Sequence, residues 1–346
     1  MQKALAHKTI WLLLAMILAV FWTLAVLPAA AQGPGAPMLE KPQPSSELPG
    51  PGEKKEEAPM TCGPLISDSC IPIEEHHASM QVLGALSIYT GNFSPNWRVV
   101  STKGNFYTFQ LPVKLTYGPT KNLETYIIVP FINNWGNSLD RGNPSVLGAP
   151  NGERSASYGG VGDITTVAKY NFHPEGDICP AMTAVGGIGW PTGHAHNLNP
   201  RLLGQDAVGT GALNFITGLN LYKWVKPFLL YSNIWLNSPV NMFRLRGTDF
   251  PQAVRSRENV TFNLAAEYPL TKKWVLLLEM YSTWTWSNPT TESIGFQSPT
   301  TVVGFLPGIE FFATEKIAMS AGCAFDTFGK FGGHKVTPAV TAYYNF

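Results

Sequence analysis

Four groups of side chains in this 346-residue chain could carry chemistry. His194 and His196 in PTGHAHNLNP, and the run Glu74, Glu75, His76 and His77, offer imidazole and carboxylate ligands for a metal ion. Neither has further ligands at a recognised metal-site spacing, so both read as solvated polar segments, and no metal or other cofactor is assigned. Cys62 and Cys70 in TCGPLISDSC are spaced to close a small disulfide loop in an oxidising compartment. Cys179 and Cys323 lack C-x-x-C spacing and are expected to stay unpaired. The fourth group, Lys114, Asp163, Lys169, Glu267, Glu279, Glu310 and Asp326, consists of charges set into segments of alternating apolar residues. A hydrolase would need a histidine within a strand beside a nucleophile or acid. His76, His77, His173, His194, His196 and His334 fall in predicted tether, turns or loops, so no enzyme is expected.

The elements that must position these charges follow from the order of the chain. Lys3 and Lys8 precede an uncharged apolar run over residues 10 to 27, then Pro28 and Ala29-Ala30-Ala31 before Gln32. That is the pattern of a secretory signal peptide over residues 1 to 31, and an uncleaved inner-membrane anchor is the alternative. Residues 32 to 76 are rich in Pro, Gly, Ser, Glu and Lys and read as a disordered periplasmic tether. A formal net charge of +1 with no dense basic block excludes the electrostatic footprint of a nucleic-acid binder.

From residue 77 to 346 the chain alternates with period 2. Tyr107, Phe109, Leu111, Val113, Leu115 and Tyr117 interleave with Thr108, Gln110, Pro112, Lys114 and Thr116. The pattern predicts an all-β protein of about twelve strands, at 77–90, 104–117, 122–133, 160–172, 179–190, 209–222, 224–237, 258–270, 272–286, 299–313, 315–327 and 335–346. Alternation also suits a soluble sandwich, so the connections decide. Long connections at 91–103, 134–159 and 191–208 take turns with short ones at 118–121 and 173–178, as in a transmembrane antiparallel β-barrel with short periplasmic turns and long outer loops.

Aromatics on the apolar face fall into two belts, as expected at two membrane interfaces. Tyr117, Tyr170, Phe172, Tyr268, Trp274, Tyr344 and Phe346 map to the periplasmic end, and Tyr107, Trp190, Trp284 and Trp286 to the other. The ending AVTAYYNF, with Tyr344 and Phe346 on one face, resembles the C-terminal signal that outer-membrane barrels present to the barrel assembly machinery. Prolines 112, 130, 227, 307 and 338 are the local objection, since a wall strand in lipid needs its N–H groups paired.

GGVGDITTVAKYNF, the WPTG at 190 to 193 and VGTGALNFITGLNLYKWVKPFLLYSNI resemble the hairpins of a family of outer-membrane transporters named after the meta pathway of phenol degradation. The resemblance covers residues 77 to 346 and is best from 159 to 237. Gly162, Asp163, Lys169 and Tyr170 match the family's G-D-x-x-x-x-x-K-Y element, and Pro191-Thr192-Gly193 its P-T-G turn. It implies an outer-membrane barrel that transports small solutes, with hydrophobic or aromatic compounds as an expectation by analogy.

By parity the seven charges face the lumen. They line a polar permeation path, or Lys114 and Lys169 pair with neighbouring carboxylates to stabilise a plugged interior. Twelve strands allow at most a narrow path. The favoured function is an outer-membrane channel for small solutes, in contact with outer-membrane lipid. The alternatives are an adhesive barrel binding a partner through loops 134–159 and 238–257, and, less favoured, a barrel-embedded hydrolase.

Overall fold

The computed structural model describes residues 63 to 139, 154 to 242, 256 to 286, 298 to 314 and 316 to 346. The signal-peptide pattern, Cys62 and most of the tether lie outside them. The strands are β1 (Ala78–Phe93), β2 (Val99–Val100), β3 (Asn105–Thr120), β4 (Leu123–Asn137), β5 (Ala156–Val161), β6 (Thr165–His173), β7 (Ala181–Gly189), β8 (Ala212–Val225), β9 (Phe228–Asn241), β10 (Asn259–Pro269), β11 (Trp274–Thr285), β12 (Thr300–Phe312), β13 (Ile317–Lys330) and β14 (Gly333–Asn345). Each pairs antiparallel with its neighbour, and β14 closes onto β1 from Ser79↔Asn345 to Asn92↔Gly333. β2 is a short flap on the end of β1, and β5 and β6 both pair with β4 as two pieces of one strand. The wall is therefore a closed barrel of twelve strands. Among the described residues, closure leaves open edges only on the short β2 and β5, each paired on one side.

Burial in this barrel is reversed relative to a water-soluble protein. Phe109, Leu115, Phe131, Leu276, Leu278, Phe305 and Val340 are exposed on the outside, while Glu267, Glu279, Glu310 and Lys169 are buried within. An apolar outer band around a polar interior is the arrangement lipid requires. Exposed Tyr117, Tyr170, Phe172, Tyr268, Trp274, Tyr344 and Phe346 ring the end with short turns. Trp190 and Trp284 are exposed at the other end, where the Tyr107 and Trp135 rings stack with centroids 5.3 Å apart.

Strand positions differ from expectation in three places. The predicted strand 160–172 is interrupted at Gly162-Asp163-Ile164. The β8–β9 turn falls at Lys226–Pro227, with Val225 opposite Phe228, so β8 sits three residues and β9 four residues later than their pattern suggested. Only residues 331 and 332 join β13 to β14, a tight turn on the side where long loops were expected.

The prolines are accommodated because each wall proline falls beside a gap in one ladder. Pro112 lies between the bridges Val82↔Val113 and Ala85↔Gln110, and Pro130 at the interruption between β5 and β6. Pro307 lies between Phe305↔Phe325 and Gly308↔Gly322, and Pro338 between Ala85↔Ala339 and Ile88↔Val336. A missing N–H costs nothing in the ladder where no bridge is made.

Candidate functional site

The centre of the barrel is occupied by chain that the sequence reads as tether. Residues 63 to 75 do not hang below the barrel. They run inside it, and the physical reason lies in the charges of the wall. Buried carboxylates and ammonium groups need partners, and this segment supplies them.

At the short-turn end, His76 N–H donates to Gly118 O (2.7 Å) and Gly118 N–H to His77 O (3.1 Å), which passes the chain across β3. A side chain at Gly118 would collide with the carbonyls of Ile73 and Glu74, so this close crossing needs glycine. Ile73 N–H then donates to Glu124 on β4 (2.9 Å). Further in, the Asp68 carboxylate lies between Lys114 of β3 and Lys169 of β6, 3.3 Å from each ammonium. Asn220 of β8 donates to the same carboxylate (3.2 Å) and is oriented by Trp235 Nε1–H, which donates to its Oδ1 (2.7 Å). Asn233 of β9 takes both backbone groups of Asp68, accepting from its N–H (2.8 Å) and donating to its carbonyl (2.9 Å).

Across the lumen, Glu279 of β11 is fully buried, and its carboxylate accepts from three consecutive N–H groups, those of Leu65 (2.6 Å), Ile66 (3.0 Å) and Ser67 (2.7 Å). A turn of backbone amides wrapped round one carboxylate is an anion nest, here with the protein's own side chain as the anion. Leu65 packs into the apolar cluster of Tyr222, Leu229, Tyr231, Leu277 and Leu306. Cys70 also lies in that cluster, and Thr183 donates to its carbonyl (2.6 Å). In place of the expected link to Cys62, Cys70 carries a free, buried thiol 3.2 Å from Thr183 Oγ1.

Six of the seven charged candidates lie on the inner face. Lys114, Lys169 and Glu279 hold the segment, so the paired, plugged alternative describes this part of the interior. Lys169 also pairs with Glu124 at 2.7 Å, a residue the parity argument passed over. Glu267 accepts from Tyr231 (3.0 Å), Asp326 accepts from Tyr281 (2.7 Å) and from Lys335 N–H (3.1 Å), and Glu310 is buried on the same face.

Asp163 differs. It lies in the interruption between β5 and β6 and accepts from Gly193 N–H (2.9 Å) and Thr210 N–H (2.7 Å), tying down the connection 190 to 211. Thr192 Oγ1 donates to Gly162 O and accepts from Ile164 N–H, each at 2.9 Å, so the G-D and P-T-G motifs meet in space. This connection folds over the long-loop mouth, where Asn134 of β4 donates to Gln205 O (3.0 Å) and Leu203, Gln205 and Asp206 are buried. Beside the luminal segment a cavity of about 470 Å³ remains, lined by Lys114, Tyr126, Ile128, Val167 and Trp235 among others.

His194 Nδ1 lies 3.2 Å from Asp206 O, and His76 and His77 flank Glu75 and Glu74. Among the described residues no three potential metal ligands converge. Two histidines fall in strands rather than in turns or loops. His173 ends β6, and His334 in β14 bonds Thr90 Oγ1 at the long-loop rim.

No family profile and no curated protein sequence matches the chain. Solved structures do. An outer-membrane channel from Pseudomonas putida F1 superposes with a TM-score of 0.64 at 12% identity, covering 83% of this chain and all of that one. The KdgM porin aligns with a TM-score of 0.42 at 7% identity, over 78% of this chain and 99% of the porin. The toluene transporter TbuX of Ralstonia pickettii aligns at 0.40 and 10% identity, over 79% of this chain and 90% of the transporter. The first of these likenesses establishes a shared fold, so the chain is a closed antiparallel barrel of the kind built by an outer-membrane channel.

Proposed function

We propose that the protein is an outer-membrane channel for small solutes, including hydrophobic or aromatic compounds, with a lumen that its own residues 63 to 75 keep narrow. The observation that carries this reading is the interior. A barrel that served only as a wall or an adhesin has no need of buried charges around an inserted segment with a 470 Å³ cavity beside it. The resemblance of the Gly162-Asp163 and Pro191-Thr192-Gly193 elements to a transporter family, and the shared fold of an outer-membrane channel, support the same reading. The same resemblance supports aromatic solutes.

In this reading residues 1 to 31 direct export, and the tether that follows them begins in the periplasm. Tyr344 and Phe346, exposed and packed edge to face with centroids 4.9 Å apart, serve as the assembly signal. The test is purified protein of heat-modifiable mobility in planar bilayers and in liposome-swelling assays. The full chain is expected to pass small solutes slowly, and the chain lacking residues 63 to 75 to pass them several-fold faster. Absence of conductance and solute flux in both would overturn the channel.

A further inference from the structure

The two luminal lysines are not equivalent. Lys169 is fully buried and holds Glu124 (2.7 Å), Asp68 (3.3 Å) and the carbonyl of Ser69 (2.9 Å). Lys114 has one carboxylate partner among the described residues, Asp68, and its side chain is 20% exposed. Its ammonium lies 3.9 Å from the centroid of the Tyr126 ring, and Lys114 and Tyr126 both line the cavity. The cavity therefore has a cationic corner held by one removable carboxylate, and an apolar wall of Tyr126, Ile128, Val167 and Trp235. Its volume of about 470 Å³ is ample for a single-ring compound, since a cavity of about 150 Å³ already takes up benzene.

We propose that this cavity binds a small organic monocarboxylate, whose carboxylate replaces that of Asp68 on Lys114 while its apolar body lies against Tyr126 and Trp235. The exchange keeps one anion on the ammonium, so Lys114 is not left without a partner. Two carboxylates on one ammonium would repel each other, so solute binding and the departure of Asp68 from Lys114 become one equilibrium. Asp68 competes as a tethered ligand, with an effective concentration in the millimolar range or above. Removing its charge therefore strengthens binding. The apolar wall selects a ring-bearing acid over an inorganic anion or acetate, and the ammonium selects the acid over the neutral alcohol. The inference rests on the channel reading only for the route by which the solute arrives.

The experiment is calorimetric titration of the folded full chain in detergent with benzoate, acetate and benzyl alcohol, with heat-modifiable mobility as the check on folding. Benzoate is expected to bind at least tenfold tighter than acetate or benzyl alcohol. Asp68→Asn is expected to tighten benzoate about two- to fivefold, Lys114→Met to weaken it at least tenfold, and Lys114→Arg to retain it. In a variant whose only cysteine is Cys70, benzoate is expected to speed maleimide labelling by no more than about two- to fivefold, the effect of losing the Lys114–Asp68 contact. Equal affinity for benzoate and benzyl alcohol, equal affinity for benzoate and acetate, or no gain from Asp68→Asn overturns the proposal. Calorimetry needs no flux, so a barrel that binds benzoate but conducts nothing overturns the channel alone. A barrel that conducts without preferring benzoate overturns only the carboxylate site.

Discussion

The two structures that narrow the lumen are held by different forces. At the long-loop mouth, the connection 190 to 211 is fixed at both ends by strands, and it is held by hydrogen bonds to backbone groups and by close backbone packing. Asp163 and Thr192 bond backbone groups around the β5–β6 interruption, and Gly193 and Gly209 approach so closely that a side chain on either would meet the other's backbone. At the short-turn end, residues 63 to 75 join the sheet through residues 76 to 78, which lead into β1. Their grip on the wall centres on charged contacts: Asp68 between its lysines, the amides of residues 65 to 67 around Glu279, Ile73 N–H on Glu124 and Lys169 on the Ser69 carbonyl. A cap joined to the sheet on both sides is part of the wall. A segment held by ion pairs can leave when a charge changes, and this makes it the movable element.

The largest test of that contrast is Asp68→Lys, which places a third cation between Lys114 and Lys169. Leaving buried charge uncompensated costs about 3–5 kcal/mol, which corresponds to roughly a hundredfold or more in the fraction of time the segment spends outside. Cys70 reports this, because its free thiol is fully buried while the segment is seated. With Cys70 as the only cysteine, maleimide labelling is expected to accelerate by about that factor. An unchanged rate would mean that the ion pairs do not retain the segment.

Glu279→Gln is expected to have a smaller effect in the same direction. The amide keeps an acceptor oxygen but loses the charge and presents donors to the N–H groups of residues 65 to 67. A loss of about 1–3 kcal/mol corresponds to labelling faster by roughly fivefold to a hundredfold. If Asp68→Lys acts and Glu279→Gln does not, the lysine side of the lumen carries the grip alone.

The opposite signature is expected at the other mouth. In Gly209→Val the new side chain would overlap the backbone of Gly193, a steric cost of about 1–3 kcal/mol. The connection 190 to 211 should loosen, and trypsin cleavage after the exposed Arg201 should speed up by roughly tenfold. Cys70 labelling should stay the same. A change at Cys70 as well would show that the two closures move together, and the contrast between them would fail.

The wall was legible in the sequence and the luminal segment was not, for a physical reason. A strand with one face in lipid must alternate, so Tyr107 to Tyr117 and Trp274 to Met280 announce both the strand and the direction of each side chain. Parity alone therefore suffices to place Lys114, Lys169, Glu267, Glu279, Glu310 and Asp326 inside the barrel. It fails for Asp163, because parity assumes an unbroken strand, and the chain is interrupted at that residue.

Residues 63 to 75 have a linker's composition, and Glu279 binds them through backbone N–H groups, which every non-proline residue possesses and no sequence pattern marks. One signal was available on the wall side. Glu279 lies in an apolar strand with no basic residue nearer along the chain than Lys273, and a buried carboxylate without a neighbouring cation must draw its partner from elsewhere. The expected loop between Cys62 and Cys70 failed for a related reason. Short spacing permits a bridge, but the Cys70 thiol is turned towards Thr183 and the Asn220 carbonyl.

The smallest effect on retention is expected from Lys114→Met. Asp68 would keep Lys169 and the amide of Asn220, and Lys169 would keep Glu124, so the remaining charges stay paired. The Lys114–Asp68 pair is partly screened by the cavity, and pairs open to solvent contribute about 0.2–1 kcal/mol. Cys70 labelling should therefore rise by only about two- to fivefold. The same substitution is expected to abolish most benzoate binding, since it removes the cavity's cation. One variant thus separates the two roles of the lysine pair, with Lys169 chiefly retaining the segment and Lys114 offering the exchangeable contact. If Lys114→Met released the segment as strongly as Asp68→Lys, both lysines would be structural, and Asp68 would be a fixed pin rather than a ligand that a solute can displace.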